Sequence, residues 1–335
     1  MKKFINHVDT LLDESLRGFA KAHADLVEVS FSPRFVRRKE VAPGKVALIS
    51  GGGAGHEPLH TGFVGRGMLD AACPGQVFTS PTPDQMLAAA EAVAGDQGVL
   101  FIVKNYAGDV MNFEMAAEML DCPSRTVLVQ DDIALPKEHE IGRRGVAGTT
   151  IVEKIVGAAA EEGRSLDDLK TLGDRVAENT ASIGVALSGC HVPALGGPTF
   201  ELPPDKIEFG VGIHGEHGRE IAEFASATEI VKRMVEAINE ELQPKRGDKV
   251  LLHVNGLGAT TLMELYLVYE LAHEFWHQEG VEIARSLVGN YTTALDMAGC
   301  SVTLTRLDDE MIRLWDAPVH TAALRWGYDH TGPNS

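Results

Sequence analysis

The stretch 51–60, GGGAGHEPLH, contains two residue patterns that can do chemistry. Its glycines let the backbone approach a small ligand closely, and free N–H groups before a helix attract oxygen atoms, although the same glycines would also suit a plain tight turn. Its second half, HEPLH, matches the H-E-x-x-H pattern of zinc peptidases. Pro58 separates the two histidines, and a helix can begin at proline but hardly pass through it. We therefore interpret His56 as the last residue of a ligand loop and His60 as an ordinary residue of the next helix.

A second H-E-x-x-H match, HEFWH at 273–277, lies inside a predicted helix. The extended zinc motif needs a third histidine, and Ile283 stands in its place, so Glu279 or Glu282 would have to serve instead. An apolar face explains this helix without a metal; it is formed by Leu262, Leu265, Val268, Leu271 and Phe275. We interpret both histidines as polar residues on a surface helix and expect no metal site.

Three more polar residues follow predicted strands. LFIVKNYAGD places Lys104 and Asp109 just past a strand, and EFGVGIHGE places His214 between Gly212 and Gly215, whose small size leaves room for a ligand. Each has an ordinary alternative: a lysine and an aspartate often form a surface ion pair, and a histidine can end a strand for structural reasons. The residues alone leave both interpretations open.

Short strands that alternate with helical segments must position these residues. The strands are predicted at 45–50, 98–105, 125–132, 182–188, 208–214, 249–256, 283–289 and 301–307. Such alternation is typical of βαβ units and predicts an α/β protein with two domains, each a mainly parallel or mixed sheet flanked by helices. The Gly- and Pro-rich stretch 189–206 divides them into 1–189 and 190–335. Open α/β sheets bind ligands at the carboxyl ends of their strands, where the candidate residues lie.

Composition narrows the choice of partners. The 335 residues carry a formal net charge of -18, which disfavours nucleic acid and anionic membranes. The four cysteines are far apart, which fits neither a disulfide framework nor a cysteine zinc cluster. No run approaches the about 18 apolar residues of a membrane helix, and acidic residues interrupt the basic amino terminus. We expect a cytoplasmic protein.

Seven ordered motifs carry a family resemblance. They are SGGGAGHEP, CPGQVFTSPTPDQ, VKNYAGDVMNFEMA, GRRGVAGT, EFGVGIHGE, NGLGATTLMELY and WDAPVHT. In this order they closely resemble the K subunit of bacterial dihydroxyacetone kinase, over about residues 5–328. The resemblance implies one substrate-binding unit that takes dihydroxyacetone or a related short keto-sugar and forms a homodimer.

The resemblance also implies roles for the candidate residues. His214 would attach the ketone carbon as a hemiaminal, His56 would polarise the carbonyl oxygen or exchange protons with it, and Asp109 would act as base toward the phosphorylated hydroxyl. The implied substrate-binding set is Gly53, Ala54, Gly55, His56, Lys104 and Asp109. Ala54 stands where many members have serine, which bears on the exact substrate.

The phosphate donor is implied to bind elsewhere. Single-chain relatives have a further nucleotide-binding domain, whereas this chain stops at Ser335. We expect no cofactor on this chain, and phosphate from phosphoenolpyruvate or ATP delivered by a separate nucleotide-bearing L subunit, without which the chain is inactive. Two alternatives are a kinase subunit for a four-carbon ketose such as erythrulose, and a non-catalytic keto-sugar-binding coactivator. The presence of His56 and Asp109 disfavours the second.

Overall fold

The computed structural model describes residues 2–42, 44–137 and 142–327. The helices of these ranges are α1 (Leu11–Ala22), α2 (Pro83–Val93), α3 (Ala107–Met119), α4 (Gly148–Glu161), α5 (Leu166–Glu178), α6 (Ala227–Leu242), α7 (Leu262–Glu279) and α8 (Asp309–Asp316). The strands are β1 (Val27–Phe31), β2 (Arg34–Arg38), β3 (Ala47–Ala54), β4 (Gly65–Arg66), β5 (Ala71–Val77), β6 (Val99–Lys104), β7 (Ser124–Val129), β8 (Thr180–Ala186), β9 (Lys206–Phe209), β10 (Glu220–Glu223), β11 (Lys249–Gly256), β12 (Glu282–Gly289), β13 (Gly299–Leu307), β14 (Val319–Thr321) and β15 (Arg325–Trp326). Capping boxes fix the starts of α6 and α7.

The first sheet has the strand order β1-β2-β5-β3-β6-β7. Its strands β5, β3, β6 and β7 are parallel neighbours, and β2 and β1 add an antiparallel edge. The strand β3 is buried along its whole length. Because β3 and β6 are parallel neighbours, their carboxyl ends lie side by side, which places Ala54 and Lys104 at one edge of the sheet.

The glycines of the GGGAG stretch lie mostly in strand β3, so the predicted loop was wrong for Gly51, Gly52 and Gly53. Close packing of β3 against β5 and the turn that follows it explains why these positions are glycines. A Cβ on Gly51 would lie 2.6 Å from the carbonyl oxygen of Cys73, and one on Gly53 would lie 2.6 Å from the backbone nitrogen of Thr79. The strand can pass here only without side chains.

The second sheet has the strand order β10-β9-β8-β13-β11-β12 and is antiparallel except for the parallel pair β11 and β12. The predicted α/β class with mixed sheets is confirmed. The strand β8 already belongs to this second sheet, so the chain passes from the first sheet to the second before residue 180.

One large hydrophobic cluster contains residues of both halves. The cluster that contains Ile151 and Val156 of α4 also contains Leu251, Leu314 and Trp315 from the second half. A small sheet, β15-β14-β4, pairs a strand of the first half with two carboxyl-terminal strands. The division into domains 1–189 and 190–335 therefore remains a prediction about folding units.

The segment HEPLH does not begin a helix, so the prediction for His60 was wrong. Residues 57–60 form turns, followed by a short 3₁₀ helix at Thr61–Phe63. The side chain of His60 is buried and hydrogen-bonded instead of lying on a helix surface. Tertiary contacts with β6 and α4, which no local pattern reveals, hold it there.

The second motif, HEFWH, lies on α7 as predicted, and the His273 and His277 rings stack with centroids 6.2 Å apart. The side chains that α7 buries are Leu265, Ala272 and Trp276, whereas Leu262 of the predicted apolar face is exposed. Within the described ranges, no group of three His, Cys, Asp or Glu side chains is arranged to hold a metal ion. Every helix in the same ranges is too short or too polar to span a bilayer.

Candidate functional site

The predicted site residues meet at the carboxyl ends of β3 and β6. His56 follows β3, Lys104 ends β6, and Asp109 lies in the first turn of α3. His214 comes from the connection between β9 and β10, five residues past the end of β9. The ring centroids of His56 and His214 are 4.7 Å apart, edge to face, so the structure brings both halves of the chain together here.

His214 has its proton position fixed by Glu216. The Nδ1 atom of His214 lies 2.8 Å from Glu216 Oε1, and the backbone N–H of His214 donates to Oε2 at 2.9 Å. Burial would raise the pKa of Glu216, but the hydrogen bond and charge of His214 and the charge of Arg144 hold it at about 2. In the neutral imidazole, Nδ1–H donates a hydrogen bond to the ionised carboxylate, which leaves a lone pair on Nε2. His214 is thus prepared as a nucleophile.

The glycines beside His214 have a different use from the predicted one. A Cβ on Gly212 would lie 2.1 Å from Glu216 Oε2 and 2.5 Å from Arg144 Nη1. Gly215 has φ +80 and turns the chain. Gly212 therefore makes room for the carboxylate that orients His214, rather than for a ligand.

His56 is buried, and its neutral form is favoured. Its Nδ1 lies 2.7 Å from the carbonyl oxygen of Thr293, to which Nδ1–H donates. Burial lowers the pKa of His56 well below its usual value, and the neighbouring His214 and Lys104 lower it further. Nε2 therefore carries a lone pair and can accept a proton.

Two aromatic rings enclose the imidazoles. Phe78 stacks on His56 at 5.0 Å and meets His214 edge-on at 5.2 Å, and Tyr106 meets His214 edge-on at 4.6 Å. Among the described residues, none hydrogen-bonds to three buried atoms here, namely His56 Nε2, Tyr106 Oη and Asp109 Oδ1. Buried polar atoms usually have partners, so this set fits a small ligand with several oxygen atoms.

Lys104 and Asp109 form a buried pair rather than a surface one. Both side chains are nearly inaccessible, and Lys104 Nζ lies 3.6 Å from Asp109 Oδ2. The ammonium also lies 2.9 Å from His60 Nε2. A Cβ on Gly52 would be 2.2 Å from Nζ, so this glycine leaves the space that the lysine occupies.

The remaining predicted substrate contacts surround the end of β3. The N–H of Gly55 donates to both carboxylate oxygens of Glu57, so it is not the free donor that the sequence suggested. The carbonyl of Ala54 accepts from the N–H of Phe78 at 2.9 Å. Gly53 packs against the same turn, and its contact with substrate remains a prediction, as do those of Ala54 and Gly55.

Sequence reasoning missed several residues of the site. Glu216 follows His214 by two positions, so a His-x-Glu pattern within EFGVGIHGE was the available signal. Thr293 is separated from His56 by 237 positions, and Glu153 from His60 by 93. Only the folded chain brings those partners together.

Comparisons with known proteins point to the same family as the sequence motifs. Residues 17–323 match the Dak1 domain. This chain belongs to the Dak1 family. The predicted resemblance to dihydroxyacetone kinase K subunits is confirmed.

Curated relatives cover almost the whole chain. It is 48% identical to the dihydroxyacetone-binding subunit DhaK of the PEP-dependent dihydroxyacetone kinase of Escherichia coli K12, covering 98% of this chain and 100% of that subunit. It is also 48% identical to a PTS-dependent counterpart from Listeria innocua, covering 96% of this chain and 100% of that subunit. Both subunits are covered along their whole length, so this chain aligns with the full extent of a separate kinase subunit.

Solved structures agree in fold. A dihydroxyacetone kinase operon co-activator, Dha-DhaQ, matches with TM-score 0.88 and 34% identity, covering 92% of this chain and 97% of that one. The dihydroxyacetone kinase of C. freundii matches with TM-score 0.86 and 36% identity, covering 97% of this chain but 60% of that one. The Dak1 fold therefore occurs both in a kinase and in a co-activator.

Proposed function

We propose that this chain is the substrate-binding subunit of a dihydroxyacetone kinase. It binds dihydroxyacetone or a related short keto-sugar and presents a terminal hydroxyl to a separate nucleotide-bearing subunit. The observation that carries the proposal is His214, whose Nδ1–H is held by Glu216, beside three buried atoms of His56, Tyr106 and Asp109 to which the described residues offer no hydrogen-bond partner. The identity of 48% to dihydroxyacetone-binding subunits supports the same substrate.

Capture of the ketone is a balanced addition. The Nε2 lone pair of His214 forms a bond to the carbonyl carbon, and the π pair of C=O moves to the oxygen. His56 Nε2 accepts a solvent proton and passes it to this oxygen, which becomes a hydroxyl. Nδ1–H of the resulting imidazolium keeps donating to the ionised Glu216, whose charge stabilises it. Glycerol has no carbonyl and cannot be held this way.

Phosphorylation then takes place at the terminal hydroxyl. Asp109 accepts the proton of the terminal hydroxyl as that oxygen attacks the phosphorus of the donor. Lys104, 3.6 Å from Asp109, provides a positive charge beside the negative charge that develops on the attacking hydroxyl oxygen. Tethering to His214 holds the hydroxyl in place, so the reaction loses less entropy on reaching the transition state.

The donor and the assembly are also part of the proposal. The names of the PEP- and PTS-dependent relatives support phosphoenolpyruvate as the source of the phosphate. We infer that the donor subunit carries an adenine nucleotide and that the reaction takes place in the cytoplasm. No cofactor is assigned to this chain itself. The family resemblance supports a homodimer. A four-carbon ketose is a related substrate, since Ala54 replaces a serine hydroxyl of many members.

The proposal predicts activity only from the two subunits together. We expect dihydroxyacetone to be phosphorylated when the chain is mixed with its cognate L subunit, and not when the chain is given ATP alone. Asp109→Asn should still bind the ketone but lose kcat about 10²- to 10⁴-fold, because it removes the base. Production of dihydroxyacetone phosphate, measured by a coupled enzyme, checks this.

A panel of three- and four-carbon ketoses with glycerol as control separates the candidate functions. The match to the co-activator makes a non-catalytic keto-sugar-binding role the second candidate. Binding of dihydroxyacetone without turnover, at any concentration of L subunit, would favour the co-activator. Turnover by the chain alone would contradict the donor assignment.

A further inference from the structure

A line of buried polar groups runs from the site into the first sheet. Asp109, Lys104, His60 and Glu153 are each 5% exposed or less. Lys104 Nζ is 3.6 Å from Asp109 Oδ2 on one side and 2.9 Å from His60 Nε2 on the other. His60 Nδ1 is 2.6 Å from Glu153 Oε1. The line joins α3, β6, the turn after β3 and α4.

The hydrogen bonds of this line have only one consistent direction. An ammonium can only donate, so Lys104 donates to His60 Nε2, which must carry the lone pair. His60 therefore has its proton on Nδ1 and donates it to Glu153 Oε1. Ser50 Oγ, 3.0 Å from the same Nδ1, donates its own proton to the carbonyl of Ile102 at 2.6 Å and so accepts from His60. The imidazole has no rotational freedom left.

The electrostatics agree with these directions. Burial lowers the pKa of His60 well below its usual value, and the charges of Lys104 and of a protonated His56 would lower it further, so the ring is neutral. Burial raises the pKa of Glu153 to about 8, and Lys104 counteracts this only in part. The titratable groups facing Glu153 are His60 and Lys104, with Asp109 and His56 beyond them.

Lys104 depends on this arrangement for its position. Among the residues that the structure describes, its other polar neighbours are the carbonyl of Gly51 at 3.4 Å and Asp109 at 3.6 Å, both farther away than His60 Nε2. The space around Nζ exists because residue 52 has no side chain. Without the imidazole acceptor, the ammonium would lose its shortest hydrogen bond and could move away from Asp109.

We propose that His60 and Glu153 are positioning residues for the phosphorylation step: Glu153 fixes the tautomer of His60, and His60 holds the Lys104 ammonium beside Asp109. The arrangement has the logic of a catalytic triad, with a lysine in place of the nucleophile. Its effect on catalysis rests on the proposed function, whereas its hydrogen-bond geometry does not.

Two substitutions at residue 60 test the proposal by kinetics. His60→Leu removes the acceptor at similar volume, and His60→Gln keeps an acceptor oxygen. We expect His60→Leu to lower kcat about 10- to 100-fold with the cognate L subunit, while capture of dihydroxyacetone on His214 is unchanged. His60→Gln should recover most of kcat.

A second pair and a surface control keep the test decisive if His60→Leu does not fold. Glu153→Gln keeps an acceptor for Nδ1–H and should retain most activity, whereas Glu153→Leu should lower kcat as His60→Leu does. His273→Leu, on α7, should match the wild type. Equal kcat in the leucine and glutamine variants of both positions, or a loss of dihydroxyacetone capture together with kcat in the leucine variants, would overturn the proposal.

Nitrogen NMR of histidine-labelled protein tests the geometry independently of any kinase activity. We expect the His60 ring to be the neutral Nδ1–H tautomer between about pH 6 and about pH 8. Glu153→Leu should release that tautomer preference. A protonated ring, or the Nε2–H tautomer, would overturn the positioning role even if the kinase activity is confirmed. If the wild-type protein shows the expected tautomer but has no kinase activity with its L subunit, the proposed function is refuted instead.

Discussion

His214 and His56 lie edge to face, yet different partners fix their protons. Glu216 holds the Nδ1 proton of His214, and a backbone carbonyl holds that of His56. An ionised partner stabilises positive charge on His214, whereas the stabilisation that the Thr293 carbonyl gives His56 is outweighed by burial. At the residue scale, one imidazole is therefore suited to become cationic in an adduct and the other to pass a proton on.

The charge of Glu216 should govern affinity for the ketone. Glu216→Gln keeps an acceptor oxygen but removes the charge that stabilises an imidazolium on His214. We expect the Kd for dihydroxyacetone to rise about 10- to 100-fold, in keeping with a charge-assisted hydrogen bond of about 1.5–3 kcal/mol. Titration calorimetry measures this.

The same variant has a pH signature. The pKa of Glu216 is lowered from 4.5 to about 2, so its stabilising effect is present above about pH 4.5 and is lost as the pH falls toward 2. The difference in Tm between wild type and Glu216→Gln should narrow over that range. Glu241→Gln is a matched control, because Glu241 also has a pKa of about 2 but pairs with Lys137 and Arg143 away from the site. An equal rise in Kd for both variants would refute the role of Glu216.

At the element scale, strand β3 does more than carry a loop. It continues through Gly52 and Gly53 into Ala54, and the bare backbone at Gly52 leaves the space for the end of the Lys104 side chain. At the carboxyl ends of the parallel strands β3 and β6, the Lys104 side chain of β6 therefore occupies the space beside Gly52 of β3. The glycines were recognised from the sequence, but their strand geometry depends on how β5 and β6 pack against them.

Gly52→Ala should therefore reduce activity more than stability. The added Cβ would lie 2.2 Å from Lys104 Nζ, the far end of a flexible side chain that can move aside. We expect kcat to fall by more than about tenfold, because the ammonium leaves Asp109, with little change in Tm. Gly18→Ala in α1 is the control, since a Cβ there meets nothing within 4 Å. Equal kcat in the two variants, or unfolding of Gly52→Ala, would contradict this account.

At the scale of the whole molecule, the site is built from both halves. The loop after β12 binds the turn after β3, through donation of Leu295 N–H to the carbonyl of Gly55 and of Thr293 Oγ1 to that of Glu57. Arg144 joins Asp132 to the carbonyl of Gly210, close to the connection that carries His214. Rigid contacts between the halves therefore set the distance between the two imidazoles.

The sequence was sufficient to predict the α/β class and the candidate site residues that follow strands in glycine-rich motifs. His56, Lys104, Asp109 and His214 follow from the position of each residue after a strand and from the family motifs. The orienting partners did not follow, because Thr293 and Glu153 are distant in the chain, and a helix was wrongly predicted through His60. Long-range packing decides which side chains hold the reactive ones.

Carbon-13 NMR of dihydroxyacetone labelled at its carbonyl, bound to the whole protein, tests the central claim most directly. We predict that the carbonyl resonance is replaced by that of a tetrahedral carbon bonded to nitrogen, and that His214→Ala abolishes the new resonance. Labelled glycerol, which has no carbonyl, should show no change. A bound ligand that keeps its carbonyl resonance in the wild-type protein would contradict covalent capture by His214.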